Sequence, residues 1–304
     1  MTQQPSVIEQ PPVVQQPPWR RPPRGHFPGV PAWGSPVDRL SGEAFGTTPL
    51  GQVTPDWAWG GADGARVRVC VLDSGVEAGH PLVGELDQAM EVEADPDGDI
   101  RVIESDSGDT AGHGTACASI IRTVAPGVSL SSVRVLTNGK FGAGAALLAG
   151  LRWAIEDGFD VISMSLSTTK DKFIPELREL ADLAYFRRCV LVAAAHNMPV
   201  RSFPWPFASV LSVASHDGED PMSFYYNPTP PVDFYARGVR VPVAWAGRRQ
   251  IVSTGNSFAA PHIAAISALV LSKHPMLTPF QLKTVLYLTA RNVANPDGGT
   301  NVSE

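Results

Sequence analysis

In Arg68-Val69-Cys70-Val71-Leu72-Asp73-Ser74-Gly75, an uninterrupted apolar run over 69–72 leads to an aspartate and a small-residue turn. A run that is apolar at every position, rather than at alternate ones, suits a strand covered on both faces, as in parallel sheets. Similar runs predict strands over 66–72, 132–136, 161–166, 190–194 and 210–214. Helical patterns at 113–122, 144–157 and 174–187 fall between them. This alternation predicts an α/β domain with a mostly parallel central sheet flanked by helices. Asp73 then stands at the carboxyl end of a buried strand, where such sheets present functional groups.

A second stretch, Gly255-Asn256-Ser257-Phe258-Ala259-Ala260-Pro261-His262, puts a serine in the first turn of a nearly all-apolar helix over 257–273. Such a helix belongs in the core. Serine at a helix start is most often a cap. With a base in reach it is instead a nucleophile at the positive end of the helix dipole. Asp109-Thr110-Ala111-Gly112-His113-Gly114-Thr115 supplies that base, a histidine flanked by glycines at another helix start. Val190-Leu191-Val192-Ala193-Ala194-Ala195-His196-Asn197 ends a strand with a side-chain amide. Each residue alone reads as a turn, a cap or a structural histidine. Together they are the parts of an acyl-transfer site: Ser257 attacks, His113 moves the proton, Asp73 holds the imidazole, and Asn197 with the Ser257 N–H receives the oxyanion.

The order Asp73, His113, Asn197, Ser257 resembles that of the subtilisin-like serine proteases, over residues 66 to about 292. The likeness rests on the Asp-Ser-Gly turn with His80-Pro81-Leu82 after it, on His113-Gly114-Thr115, on the strand ending at Asn197, and on Ser257-Phe258-Ala259-Ala260-Pro261-His262. It implies a three-layer fold and a serine endopeptidase with Asp73, His113, Ser257 and Asn197 catalytic. It also implies that Gly142, Ala143 and Gly144 belong to an edge strand on one side of the substrate, with Ser165, Leu166, Ser167 and His196 on the other. An extended peptide would add as a strand between them.

Several positions depart from the family pattern. Asn256 stands where threonine is usual before the serine, His196 where glycine precedes the oxyanion asparagine, and Ser167 where glycine is common. Ala236-Arg237-Gly238 replaces Ala-Pro-Gly. These changes predict a restricted peptide or protein target. The alternatives are a processing or cyclising protease of a ribosomally made precursor peptide, or a weakly active peptide-binding pseudo-protease. No cofactor is required for the chemistry, and calcium, a recurrent stabiliser of the family, cannot be assigned to ligands.

Composition sets further bounds. A net charge of −6 over 304 residues, with no basic run, argues against a nucleic-acid partner. The N-terminus lacks the basic start and apolar core of a secretion signal, and no stretch reaches membrane-spanning length, so a cytoplasmic location without membrane contact is expected. Residues 1–36 hold 10 of the 28 prolines and three arginines, which predicts a proline-rich disordered leader. Residues 37–65 read as a lead-in segment with a short helix near 54–59, 66–292 as the peptidase domain, and 293–304 as a tail. The leader and lead-in are too short and proline-rich for the folded propeptide of secreted family members, so maturation by its release is not expected. Residues 85–109 carry ten acidic side chains and one arginine, and read as a solvated loop. The three cysteines, Cys70, Cys117 and Cys189, lie in apolar runs and suit reduced, buried thiols, with Cys70 and Cys117 near the aspartate and histidine.

Overall fold

The computed structural model describes residues 52–94, 99–136 and 143–294. The leader, most of the lead-in segment, Phe141, Gly142 and most of the tail lie outside these residues.

Strand β1 (Arg68–Asp73) is central, and its side chains alternate between two cores. Val69 and Val71 join one apolar cluster, while Cys70 and Leu72 join another on the opposite face. This period-two split is why the run is apolar at every position. Around β1 lie β2 (Gln88–Ala94), β3 (Ile100–Glu104), β4 (Ser129–Arg134), β5 (Val161–Met164), β6 (Val190–Ala194), β7 (Val210–His216), β8 (Phe224–Tyr226) and β9 (Phe234–Arg237). They form one sheet in the order β3-β2-β4-β1-β5-β6-β7-β9-β8. All neighbours pair in parallel except the outermost pairs, β2–β3 and β8–β9. The chain departs from β1 first toward β4 and then toward β5, so Asp73 occupies the point where strand order reverses, the usual place for a ligand crevice.

Helices α1 (Pro55–Trp59), α2 (His113–Val124), α3 (Ala143–Asp157), α4 (Ile174–Phe186), α5 (Asn256–Lys273), α6 (Pro279–Thr289) and α7 (Arg291–Ala294) cover the sheet. Residues of α2, α5 and α6 share the cluster of Val69 and Val71, while α3 and α4 share that of Cys70 and Leu72. The architecture is therefore three-layered. Helix α5 is buried almost throughout, as its uniformly apolar sequence dictates. Helix α6 opens on the expected capping box, with Thr278 and Gln281 bonded reciprocally. The short helix α1 is capped by Thr54 and is part of the domain, with Trp57 stacked on His274 at 4.0 Å between centroids.

The acidic stretch differs from the solvated loop expected there. Its described part forms the hairpin β2–β3 and extends the sheet. Val92 is buried in the α3-side core, and Met90 and Val102 pack against it. Glu91 faces the other way, pairs with Arg134, and accepts from Ser105 and Ser107 at 2.7 Å each. Alternation lets charged residues form a strand whose other side is apolar, so a count of charges hides it. The antiparallel ribbon β10 (Val241–Trp245) and β11 (Arg249–Ser253), absent from the sequence reading, lies beside α2.

One core residue makes stability depend on pH. His262 in α5 is 2% exposed, with Nδ1 2.9 Å from the Phe258 carbonyl oxygen. Burial is the main cause that pushes its pKa from 6.5 down to about 4. The unfolded chain takes up this proton as pH falls through 6.5, and the folded chain does not until about pH 4. Folding should therefore lose about 3 kcal/mol from this group over that interval. Chemical denaturation at pH 7 and pH 4.5 checks this: His262→Gln should lose less stability on acidification than wild type, and equal losses would refute it.

Candidate active site

The parallel strands β1, β5 and β6 end on one edge of the sheet, and the starts of α2 and α5 meet them there. Asp73 is the last residue of β1 and is fully buried. His113 is the first residue of α2, and its Nδ1 lies 2.8 Å and 3.0 Å from the two Asp73 carboxylate oxygens. A carboxylate only accepts, so Nδ1 carries the hydrogen and Nε2 is left as the basic nitrogen. Ser74 N–H donates to Asp73 Oδ1 at 2.7 Å and steadies the carboxylate.

Ser257 is the second residue of α5. Ser165, just past β5, donates its hydroxyl to the Ser257 carbonyl oxygen at 2.7 Å, and Phe258 sets its ring 5.4 Å from that of His113. These contacts bring the Ser257 backbone beside the imidazole. Cys117, one turn into α2, fills the space between them: its Sγ lies 3.8 Å from Asp73 Oδ2, 3.4 Å from Ser165 Oγ and 3.6 Å from the Ser257 oxygen. Burial pushes the Cys117 thiol up, so it is a neutral neighbour. Burial of His113 acts against its charged form, but its coupling to Cys117 and to the Asp73 carboxylate outweighs that and raises its pKa. With the thiol neutral, Asp73 is the charge responsible.

Cys70 does not join this group. It lies three residues before Asp73 on the strand and so faces the opposite core, where Cys189 also lies. None of the three cysteines is in a disulfide, and all three are buried.

The loop before His113 is organised by Asp109, a residue with no role in the sequence reading. Its carboxylate accepts from Ser74 Oγ at 2.8 Å, Ala111 N at 2.9 Å, Gly112 N at 2.7 Å, Thr115 N at 2.8 Å and Thr115 Oγ1 at 2.6 Å. Burial alone would raise its pKa, but these hydrogen bonds hold it below the usual carboxylate value. The network joins the turn after Asp73 to the first turn of α2. An aspartate two to three residues before exposed N–H groups in a glycine-containing loop is the sequence signal that could have found it. Gly112 is at φ +94°, and a Cβ there would fall 2.5 Å from Trp245, so only glycine fits under that indole.

Asn197 follows β6, and its Oδ1 accepts the Asn256 N–H at 2.9 Å. This fixes the amide, leaving Nδ2 as the donor on the other side. Gly255 separates it from Ser257: a Cβ built there would be 3.3 Å from Ser257 Oγ and 3.5 Å from Asn197 Nδ2. The Ser257 N–H, in the first turn of α5, has no helical acceptor and is a second candidate donor.

The other expected contacts are placed unequally. Ser165 braces Ser257, and Leu166 packs against the α3-side core. Ser167 Oγ donates to Ser202 Oγ at 3.1 Å, and Trp205 Nε1 donates to the same oxygen at 2.9 Å. Ala143 and Gly144 belong to α3, so they do not form the expected edge strand; the small residues before the alanine-rich run extend the helix toward its N-terminus. Phe173 lies where any side chain at position 144 would sit.

Two carboxylates of the acidic stretch are already committed to other partners. Glu91 is committed to Arg134 and two serines, and Asp109 to five N–H and O–H donors. The one cluster of potential ligands among the described residues, Asp73, His113 and Cys117, offers a single carboxylate, an imidazole and a thiol, not the oxygen cage calcium needs.

This arrangement has known counterparts. Subtilisin DY of Bacillus licheniformis is 30% identical over 250 residues, covering 77% of this chain and 87% of that protein. Subtilisin E of Bacillus subtilis is 29% identical over 250 residues, and the chain spans 63% of its length. A cold-adapted subtilisin-like serine proteinase superposes with a TM-score of 0.59 at 27% identity, over 75% of this chain and 83% of that one. A lanthipeptide protease shares the fold with a TM-score of 0.58 at 22% identity, over 72% of this chain and 78% of that one. Residues 64–303 match the subtilase family, and with these relatives that settles the family: the chain is a subtilase, a serine endopeptidase of the subtilisin type.

Proposed function

We propose that this subtilase uses Asp73, His113, Ser257 and Asn197 to cleave a restricted peptide or protein target. Ser257 Oγ attacks the scissile carbonyl as its proton passes to His113 Nε2. Asp73 stabilises the imidazolium, and Asn197 Nδ2 with the Ser257 N–H takes the oxyanion. His113 then returns the proton to the leaving amine, and water resolves the acyl-enzyme by the same path. No metal or organic cofactor enters these steps.

The observation that carries the restriction is the lacing of the loop after Asn197 to the segment after β5. Thr168 and Phe203 exchange backbone hydrogen bonds at 2.9 Å each, and Ser167, Ser202 and Trp205 form a closed hydroxyl–indole set with Ser202 fully buried. A wall held this way cannot spread to admit varied side chains. His196 stands in the same loop, and an apolar crevice of about 590 Å³ lined by His196, Met198, Phe203, Trp205, Val232 and Asn256 adjoins it. None of the described helices is long and apolar enough to cross a membrane.

Cleavage-site mapping on a proteome-derived peptide library, with Ser257→Ala as the blank, should return sites confined to a narrow sequence motif. Trp205→Ala should widen the motif, raising kcat/KM for excluded peptides by about tenfold. Indiscriminate cleavage by the wild type would overturn the restriction.

A further inference from the structure

Asn256 sits between the oxyanion donor and the nucleophile, and its side chain reaches into neither. Its Oδ1 accepts two hydrogen bonds from Ser215 in β7, from the N–H and from Oγ, both at 2.9 Å. Because a backbone N–H can only donate, the amide's orientation is settled: Oδ1 faces Ser215 and Nδ2 faces the other way. That Nδ2 donates to the His196 carbonyl oxygen at 3.3 Å. The Asn256 N–H donates to Asn197 Oδ1 at 2.9 Å. One residue thus ties together the ends of β6 and β7 and the start of α5, and holds Asn197 at two points: its Nδ2 binds the His196 carbonyl that precedes Asn197, and its backbone N–H binds Asn197 Oδ1.

The close approach of these elements is built into their neighbours. Gly255 N–H donates to the Gly238 carbonyl oxygen at 2.9 Å, and a Cβ at Gly238 would fall 2.5 Å from Ser215 Cβ. The residue at 256 therefore arrives beside Ser215 whatever its side chain. A side chain carrying both a donor and an acceptor, two bonds beyond Cβ, is needed to bridge Ser215 and His196 at once. Threonine, with a single hydroxyl on Cβ, reaches less far and offers no separate donor head.

We infer that Asn256 is a positioning residue for the oxyanion donor, holding Asn197 so that its Nδ2 points toward the carbonyl attacked by Ser257. This rests on the proposed role of Asn197. The departure from the family pattern at this position preserves the oxyanion site by a different bracing, instead of weakening it. Its effect is carried through Asn197 alone, because the amide of Asn256 is directed at Ser215 and His196 and not into the site.

The test is a double-mutant cycle on kcat and KM with one peptide substrate, using wild type, Asn197→Ala, Asn256→Ala and the double variant. Asn197→Ala should lower kcat by about 10²–10³ with little change in KM. Asn256→Ala should lower kcat by about tenfold, and in the Asn197→Ala background it should have no further effect. A generalised loss of structure would instead add to the Asn197 defect or raise KM. Asn256→Asp, which keeps the acceptor for Ser215 but replaces the donor to His196 by a repulsive oxygen, should reproduce the fall in kcat and serves if the alanine variant does not fold. Additive losses in the cycle, or unchanged kcat in both Asn256 variants, would overturn the inference. Unchanged kcat in Asn197→Ala would instead remove the oxyanion role on which it rests, so the two failures are separable.

Discussion

Ser257→Ala should lower kcat by about 10⁶ and abolish covalent labelling by a fluorophosphonate, while the protein folds and binds substrate as before. The loss is large because the acyl-enzyme has no other route. Ser165 Oγ, which reaches the Ser257 backbone, is committed to the Ser257 carbonyl oxygen, and Cys117 is a buried, neutral thiol. The fold should tolerate the change, since Ser257 Oγ is not the helix cap: Gly255 occupies the cap position without a side-chain bond, and Ser165 grips the backbone. Single-turnover assays and intact-mass detection of the phosphonylated protein check this. Labelling that survives at the wild-type rate would mean that the nucleophile is another residue.

Asp73→Asn should lower kcat by about 10⁴. An asparagine at this position can turn its NH₂ toward His113 Nδ1, which favours the tautomer with hydrogen on Nε2 and removes the base that Ser257 needs. The pH dependence carries a second signature. Because Asp73 raises the pKa of His113, the neutral imidazole appears only at higher pH, and the acid limb of kcat/KM in the wild type should lie above pH 6.5, the ordinary histidine value. Without the carboxylate, burial is the dominant remaining influence and acts downward, so the limb should move to lower pH in the variant. A limb at the same pH in both proteins would contradict the assignment of Asp73 as the charge that acts on His113.

Much of this candidate site was legible in the sequence because each candidate residue closes a strong local pattern. Asp73 ends a run too apolar to be anything but a doubly covered strand, and Ser257 opens a helix too apolar to be anything but buried. His113 and Asn197 fall at a helix start and just past a strand end that were equally plain. The misread parts have opposing or weak local signals. The hairpin β2–β3 hides a buried valine among charges. The short strands from β8 to β11 gain their order from pairing with distant partners, which local preference does not encode.

The sequence by itself determined the layer architecture, the chain order of the candidate catalytic residues and the burial of α5, because these follow from hydrophobic periodicity and from what a strand or helix end can present. Only the tertiary structure decided the orientation of the groups. It put Cys117 beside the Asp73–His113 pair and Cys70 on the far side of the sheet, made Asp109 the hub of the histidine loop, and turned Asn256 toward Ser215 and His196. Those outcomes depend on hydrogen bonds between residues up to sixty positions apart, whose geometry exists only once the strands are in register.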